Sequence, residues 1–99
     1  MAVAVILWDG PDAPRLRQER LAAHLAYVET VADRLLVGGP FKRADGAFAG
    51  SLLVMDVGTE AEARAILEAD PYFQAGVWAD VRIEPFRPVI GTWIGGKVW

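Results

Sequence analysis

The first eight residues, Met1-Ala-Val-Ala-Val-Ile-Leu-Trp8, form an apolar run without polar alternation, and Asp9-Gly10-Pro11 cuts it off. A half-exposed strand alternates with period two, and an amphipathic helix repeats every three to four residues. A short unbroken run bounded by turn residues therefore reads as a strand covered on both faces of its sheet. It is too short to span a bilayer and has no basic flank, so it reads as neither a membrane helix nor a signal peptide.

Ser51 to Val57 repeats the demand, being apolar on both faces through its centre. The segments around these two strands predict what covers them. Pro14 suits the first turn of a helix that the spacing extends from about Arg15 to Asp33. Leu21, Leu25, Val28, Ala32 and Leu35 recur along one stripe of it, expected to face the core. Leu35 to Phe41 reads as a second strand, interrupted by Gly38-Gly39-Pro40, with Lys42 to Gly50 as a hairpin connection around Asp45-Gly46. Thr59 is placed to cap a helix over Glu60–Ala69, with Glu62 at the capping-box position and Ala63, Ile66 and Leu67 inward. Asp70-Pro71 stops it, and Pro71 to Ala75 reads as one more helical turn that Gly76 ends. Trp78 to Phe86 alternates, with Ala79, Val81 and Ile83 on one face and Asp80, Arg82 and Glu84 on the other. Pro85 and Pro88 put its far end at a sheet edge.

The order is β-α-β-β-α-β, the split βαβ pattern. It predicts an α+β fold in a single domain over residues 1–99, with an antiparallel four-stranded sheet and two helices on one face. The helices leave the other face bare, although the inner strands are apolar there too. A partner's sheet is the economical cover, and a symmetric homodimer enclosing a barrel-like core is expected. With 54% hydrophobic residues, 99 residues have more apolar surface than a small monomer hides easily. Residues 89–99 show no regular period, and their Trp93 and Trp99 are expected to pack on the partner subunit.

The absence of cysteine excludes disulfides, thiolate nucleophiles and cysteine-held metals, and a cytoplasmic setting is the default. A net charge of -3, with dispersed basic residues, argues against a nucleic-acid partner. One histidine without cysteine or a tight carboxylate cluster provides no metal set, and the glycines fit no phosphate or dinucleotide loop.

Chemistry near neutral pH rests on His24, the only histidine, on the shoulder of the apolar helix stripe. It can simply pack and bond a backbone carbonyl. Alternatively, a carboxylate at a helix end can orient it as a general base and acid, and Asp70 is the candidate. Asp70 has its own structural task as N-cap of the turn beginning at Pro71. The 46 residues between the pair leave spacing silent on which role applies. Ser51, after Gly50, could offer a hydroxyl to a cavity or merely begin a strand, and no nucleophile elbow surrounds it. Gly39 and Pro40 could admit a ligand close to the backbone or mark a bulge. Tyr72, Phe73 and Trp78 could line an apolar pocket for a small cyclic ligand or pack the core.

These pieces, taken in order, resemble the YCII-related (YciI-like) family over about nine-tenths of the chain. They are the amino-terminal strand, Ala22-Ala-His-Leu25, Leu36-Val-Gly-Gly-Pro40, Gly50-Ser51, Ala69-Asp-Pro-Tyr72, Gly76-Val77 and Val81-Arg-Ile-Glu-Pro-Phe86. The resemblance implies a ferredoxin-like dimeric α+β barrel with a histidine–aspartate pair in its cavity. His24 and Asp70 stand at the matching positions, and Ser51 matches a residue often near the pocket. The tail after Pro88 departs from the pattern. The expectation is a cofactor-free enzyme, a lyase or isomerase resembling a dehydrochlorinase, that moves a proton on a small cyclic or aromatic molecule. Two alternatives are a non-catalytic small-molecule-binding dimer and a haem-associated barrel protein with His24 as axial ligand.

Overall fold

The two strands that are apolar on both faces lie side by side at the centre of one sheet, where each has a hydrogen-bonded neighbour on both edges. This is the architecture of the computed structural model, which describes residues 2–97. Met1 of the expected first strand and Val98 and Trp99 of the tail lie outside the described residues. Strand β1 (Ala2–Asp9) pairs antiparallel with β3 (Phe48–Met55) and β4 (Trp78–Phe86), and β2 (Leu35–Lys42) pairs antiparallel with β3. The order β2-β3-β1-β4 leaves the strand with Gly38-Gly39-Pro40 and the strand with Pro85 at the edges. The result is the four-stranded antiparallel α+β sheet with helices that the patterning predicts.

The register sets Val3 opposite Met55, Val5 opposite Leu53 and Leu7 opposite Ser51. Val3, Val5, Leu7 and Met55 pack with Val57, Ala63 and Leu67 into the main core, which Val81 and Ile83 of β4 join from the side. Helix α3 (Glu60–Glu68) closes this core by burying Ala63 and Leu67. It starts where expected, because the Thr59 hydroxyl accepts from the Glu62 amide at 3.1 Å. A smaller cluster of Ala13, Tyr72 and Val77 joins α1 (Ala13–Glu19) to α4 (Pro71–Ala75).

The long helix expected from Arg15 to Asp33 is broken. Helix α1 ends at Glu19, α2 runs over Leu21–Val31, and a 3-10 turn follows at Ala32–Arg34. No glycine or proline causes the break. The Tyr72 hydroxyl donates to the Arg17 carbonyl at 2.9 Å, the acceptor that the Leu21 amide would use in a continuous helix.

The leucine stripe also differs from its expected role. Leu21 is 47% and Leu25 52% exposed, and no residue of α2 is fully buried. They border a cavity between α2 and the β2–β3 side of the sheet. Gly38, opposite Leu53 on this face, carries no side chain to fill that space, so α2 presents its apolar stripe to a void and not to a packed core.

On the other sheet face Ile6 and Trp8 of β1 stand beside Leu52 of β3, with Trp8 44% exposed and stacked on Phe41 at 4.9 Å. The tail forms a small hairpin that periodicity did not predict: Ile90–Gly91 (β5) pairs with Gly96–Lys97 (β6) across a 3-10 turn at Thr92–Ile94. Its shape comes from positive φ at Gly91, Gly95 and Gly96, which leaves no hydrophobic period to read. Trp93 at its tip is 79% exposed and shares an apolar groove of about 390 Å³ with Leu52, Val54 and Phe86. No helix among the described residues is long and apolar enough to cross a membrane.

The two leucine sets should respond differently to truncation in urea denaturation. Leu7→Ala removes a fully buried side chain from the main core and is expected to cost about 2–5 kcal/mol. Leu25→Ala is expected to cost less than about 0.5 kcal/mol, because its side chain is already half in water.

Candidate functional site

Asp70 follows α3 in extended conformation (φ -71°, ψ 129°), with the first turn of α4 beginning at Pro71. Its Oδ1 accepts from the Tyr72 amide at 2.8 Å, the capping bond. The same carboxylate faces the His24 imidazole: Nδ1 lies 2.8 Å from Oδ1 and 3.0 Å from Oδ2. Both tasks read for Asp70 therefore coexist, with Oδ1 shared between the backbone and the ring. A carboxylate accepts, so the imidazole donates through Nδ1, and in its neutral form Nε2 keeps the lone pair. Among the described residues Nε2 has no partner.

The ring is also fixed from the side. Tyr72 stacks on His24 with centroids 3.8 Å apart and planes 3° from parallel. Trp78 meets the Tyr72 ring edge-on at 5.9 Å. Tyr27, one turn after His24 on α2, donates its hydroxyl to the Ile66 carbonyl at 2.6 Å and ties α2 to α3. The imidazole is thus held by the Tyr72 ring on one face and by the capping carboxylate at Nδ1.

These groups line a cavity of about 330 Å³. Leu25, Val28, Leu53 and Met55 make much of its wall apolar. Of the residues singled out from sequence, His24, Asp70, Ser51, Gly39, Pro40, Tyr72 and Trp78 all border it. Phe73 does not, and packs on the main core instead. Ser51 is buried at the start of the wall that β3 provides, and its hydroxyl accepts from Arg17, not from His24.

Tyr27 and Phe48 also border the space unannounced, and Arg17 is the charged cavity residue that sequence reasoning missed. Its Nε and Nη2 donate to the two oxygens of Asp9 at 2.9 Å each, a bidentate pair with side chains only 12% and 6% exposed. Nη2 also reaches the Gly50 carbonyl and the Ser51 hydroxyl, both at 3.3 Å. The guanidinium carbon lies 5.2 Å from the centre of the Phe48 ring and 5.5 Å from that of Tyr72. The one available signal was an arginine eight residues after an aspartate that ends an apolar strand, and such a spacing also fits two solvated charges.

Both tyrosines hold their protons above the ordinary phenol range. Burial is the main cause for each; the Asp70 charge adds to it at Tyr27, and the opposing pull of Arg17 exceeds that of Asp70 at Tyr72.

A family model described as the YCII-related domain matches residues 1–87. The protein YciI of Escherichia coli O6:H1 is 32% identical over 97 residues, covering 90% of this chain and 99% of that protein. An uncharacterized protein of Haemophilus influenzae is 34% identical over 89 residues, covering 79% of this chain and 91% of that one. Among solved structures, 5-chloro-2-hydroxyhydroquinone dehydrochlorinase of Burkholderia phenoliruptrix AC1100, in complex with 2,5-dihydroxybenzoquinone, superposes with a TM-score of 0.81. It is 31% identical, and the match covers 93% of this chain and 97% of that one.

Two stability outcomes follow from this geometry. Asparagine caps about as well as aspartate, so Asp70→Ala should lower stability by roughly 0.5–2 kcal/mol more than Asp70→Asn in thermal denaturation. Tyr27 and Tyr72 are the only tyrosines. Ultraviolet titration of phenolate should therefore show both ionising above the free-tyrosine range. The folded state keeps protons that the unfolded chain releases near pH ~10. Their contribution is complete below that pH and is lost as pH rises through the folded-state values.

Proposed function

This chain belongs to the YCII-related family, and from that premise we propose that it is a small cofactor-independent enzyme transferring a proton on a small cyclic or aromatic molecule. The observation that carries the reading is the His24 ring: Nδ1 is held by a buried carboxylate, and Nε2 is left open within an apolar cavity. A fixed tautomer with a free lone pair is what a general base needs. Asp70 holds that tautomer and stabilises the imidazolium once Nε2 has taken the proton. Tyr72 supports the ring, while Ser51 and the Gly39-Pro40 backbone border the substrate. The cavity, at about 330 Å³, is of a size that receives a single ring.

Two outcomes are open to the same base. In an elimination, the electron pair of the broken O–H or C–H bond becomes a new double bond while the leaving group departs with its own pair. In an isomerisation, the imidazolium returns the proton to a different atom of the substrate. The dehydrochlorinase whose structure this chain resembles supports elimination. We also place the chain in a homodimer in the cytoplasm, with the apolar outer sheet face against a second copy and the tail hairpin packing on it.

Chloride release from 5-chloro-2-hydroxyhydroquinone, used as a probe substrate, tests the mechanism. His24→Asn should lower turnover by roughly 10²–10⁴, and Asp70→Asn should lower it by less, since the base survives with its orientation loosened. A His24→Asn variant as active as the wild type would sink the mechanism. Binding of the probe without chloride release would favour the non-catalytic alternative. Light scattering at micromolar concentration should give twice the 10.8 kDa chain mass, and a monomeric mass would contradict the dimer.

A further inference from the structure

Arg17 is bound to its surroundings by one edge only. Nε and Nη2 make all of its hydrogen bonds, to Asp9, Gly50 and Ser51. Nη1 has no acceptor among the described residues, although the side chain is only 12% exposed and borders the cavity. Nη1 is not sealed off, since among the described residues Trp78 Nε1 is the one fully buried side-chain polar atom without a partner. Nη1 is a charged donor left open on a side chain that borders the cavity. Ser51 shows the same pattern. Its oxygen accepts from Arg17, its hydroxyl hydrogen has no acceptor among the described residues, and the residue is 8% exposed on the cavity wall.

The two groups are adjacent, Nη2 to Oγ being 3.3 Å, and both face the space that His24 faces. The Tyr72 ring carries the imidazole at 3.8 Å and the guanidinium at 5.5 Å, so base and donors border a volume that one small ring can occupy. The Phe48 and Tyr72 rings lie beside the guanidinium, whose side chain is only 12% exposed, and this partial burial strengthens its attraction for a negative oxygen.

We propose that Nη1 of Arg17 and the hydroxyl hydrogen of Ser51 form an oxyanion site. It selects small rings bearing an ionised or enolisable oxygen and holds that oxygen while His24 takes the proton. The part played by His24 rests on the reading above, whereas the oxygen-binding part stands without it. The step balances within the site: the proton leaves the substrate for Nε2, the electron pair it leaves places negative charge on the ring oxygen, and Arg17 and Ser51 donate to that oxygen. Asp9 serves as a positioning residue, fixing the fork so that Nη1 points away from it.

The test compares two matched probes by calorimetry at a pH where the first is ionised: 4-nitrophenolate and its neutral methyl ether, 4-nitroanisole. The wild type should bind the phenolate at least about tenfold more tightly, as charge-assisted hydrogen bonds confer. Arg17→Lys keeps the charge beside Asp9 but loses the fork, and should reduce that preference severalfold. The double variant Asp9→Asn/Arg17→Gln, which leaves no unpaired buried charge, should abolish it while still binding the ether, and Ser51→Ala should reduce it in part. If the double variant does not fold, the Arg17→Lys and Ser51→Ala preferences decide. His24→Asn should keep the preference and lose chloride release, so failure of the base mechanism and failure of the oxyanion site read out separately. A wild type that binds the phenolate no better than the ether, or binds neither, overturns the proposal. So does a preference that survives both Arg17→Lys and Ser51→Ala.

Discussion

The bond from the Tyr72 hydroxyl to the Arg17 carbonyl orders the rest of the site. It takes the acceptor that would have continued α1, so the chain restarts at Leu21 and α2 sets off in its own direction. The same buried tyrosine has its amide capped by Asp70, its ring under His24 and its edge against Trp78. One side chain thereby fixes the relative positions of α1, α2, α4 and β4. Each contact contributes only about 1 kcal/mol net, so their importance lies in geometry more than in stability. If α2 continued straight from α1, His24 would be carried away from the Asp70 cap, and the leucine stripe would meet a different surface.

Local chemistry made much of this fold legible. Two strands without alternation read as covered on both faces; they lie side by side at the sheet centre, and the helices cover one of those faces. Thr59 and Asp70 were readable as caps, and each accepts the backbone amide that capping requires. What escaped was decided by groups far away in the chain. Nothing between Gln18 and Leu21 signals a helix break, because the competing donor is Tyr72, more than fifty residues on. The stripe from Leu21 to Val28 is real, but periodicity tells which side of a helix is apolar and not whether a core or a cavity lies against it. Nothing local to Arg17 or Asp9 singles out their pairing, and only the fold turns them toward each other. The His24–Asp70 pairing was legible as a possibility from residue types and through the family resemblance; their spacing said nothing.

The two sheet faces have separate tasks. The helix side holds the core at one end and the cavity at the other, joined through Leu53 and Met55, which belong to both. The outer side is apolar along β1 and β3 but becomes charged at the β4 edge, where Asp80, Arg82 and Glu84 oppose Trp8, Ile6 and Ala4. Any covering surface must be apolar over the sheet centre and polar over that edge. The tail hairpin borders a groove shared with Leu36, Leu52, Val54 and Phe86 of its own sheet.

The site uses one device twice. A buried carboxylate, Asp70 or Asp9, sits behind a nitrogen group of a residue that borders the cavity and engages one edge of it, leaving the opposite edge without a partner among the described residues. At His24 this fixes a tautomer, and at Arg17 it fixes a planar fork. Neither carboxylate needs to touch a substrate for the arrangement to work. Each carboxylate is anchored by the backbone geometry around it: Asp70 caps a helix, and Asp9 lies at the end of a central strand just past a register shift. In the proposed reaction, groups held this way need little reorganisation as charge moves, which lowers a barrier more effectively than extra contacts to the ground state. A chain of 99 residues has few side chains to devote to such support. It manages by assigning the supporting carboxylates to positions where the fold already requires a cap or a strand end.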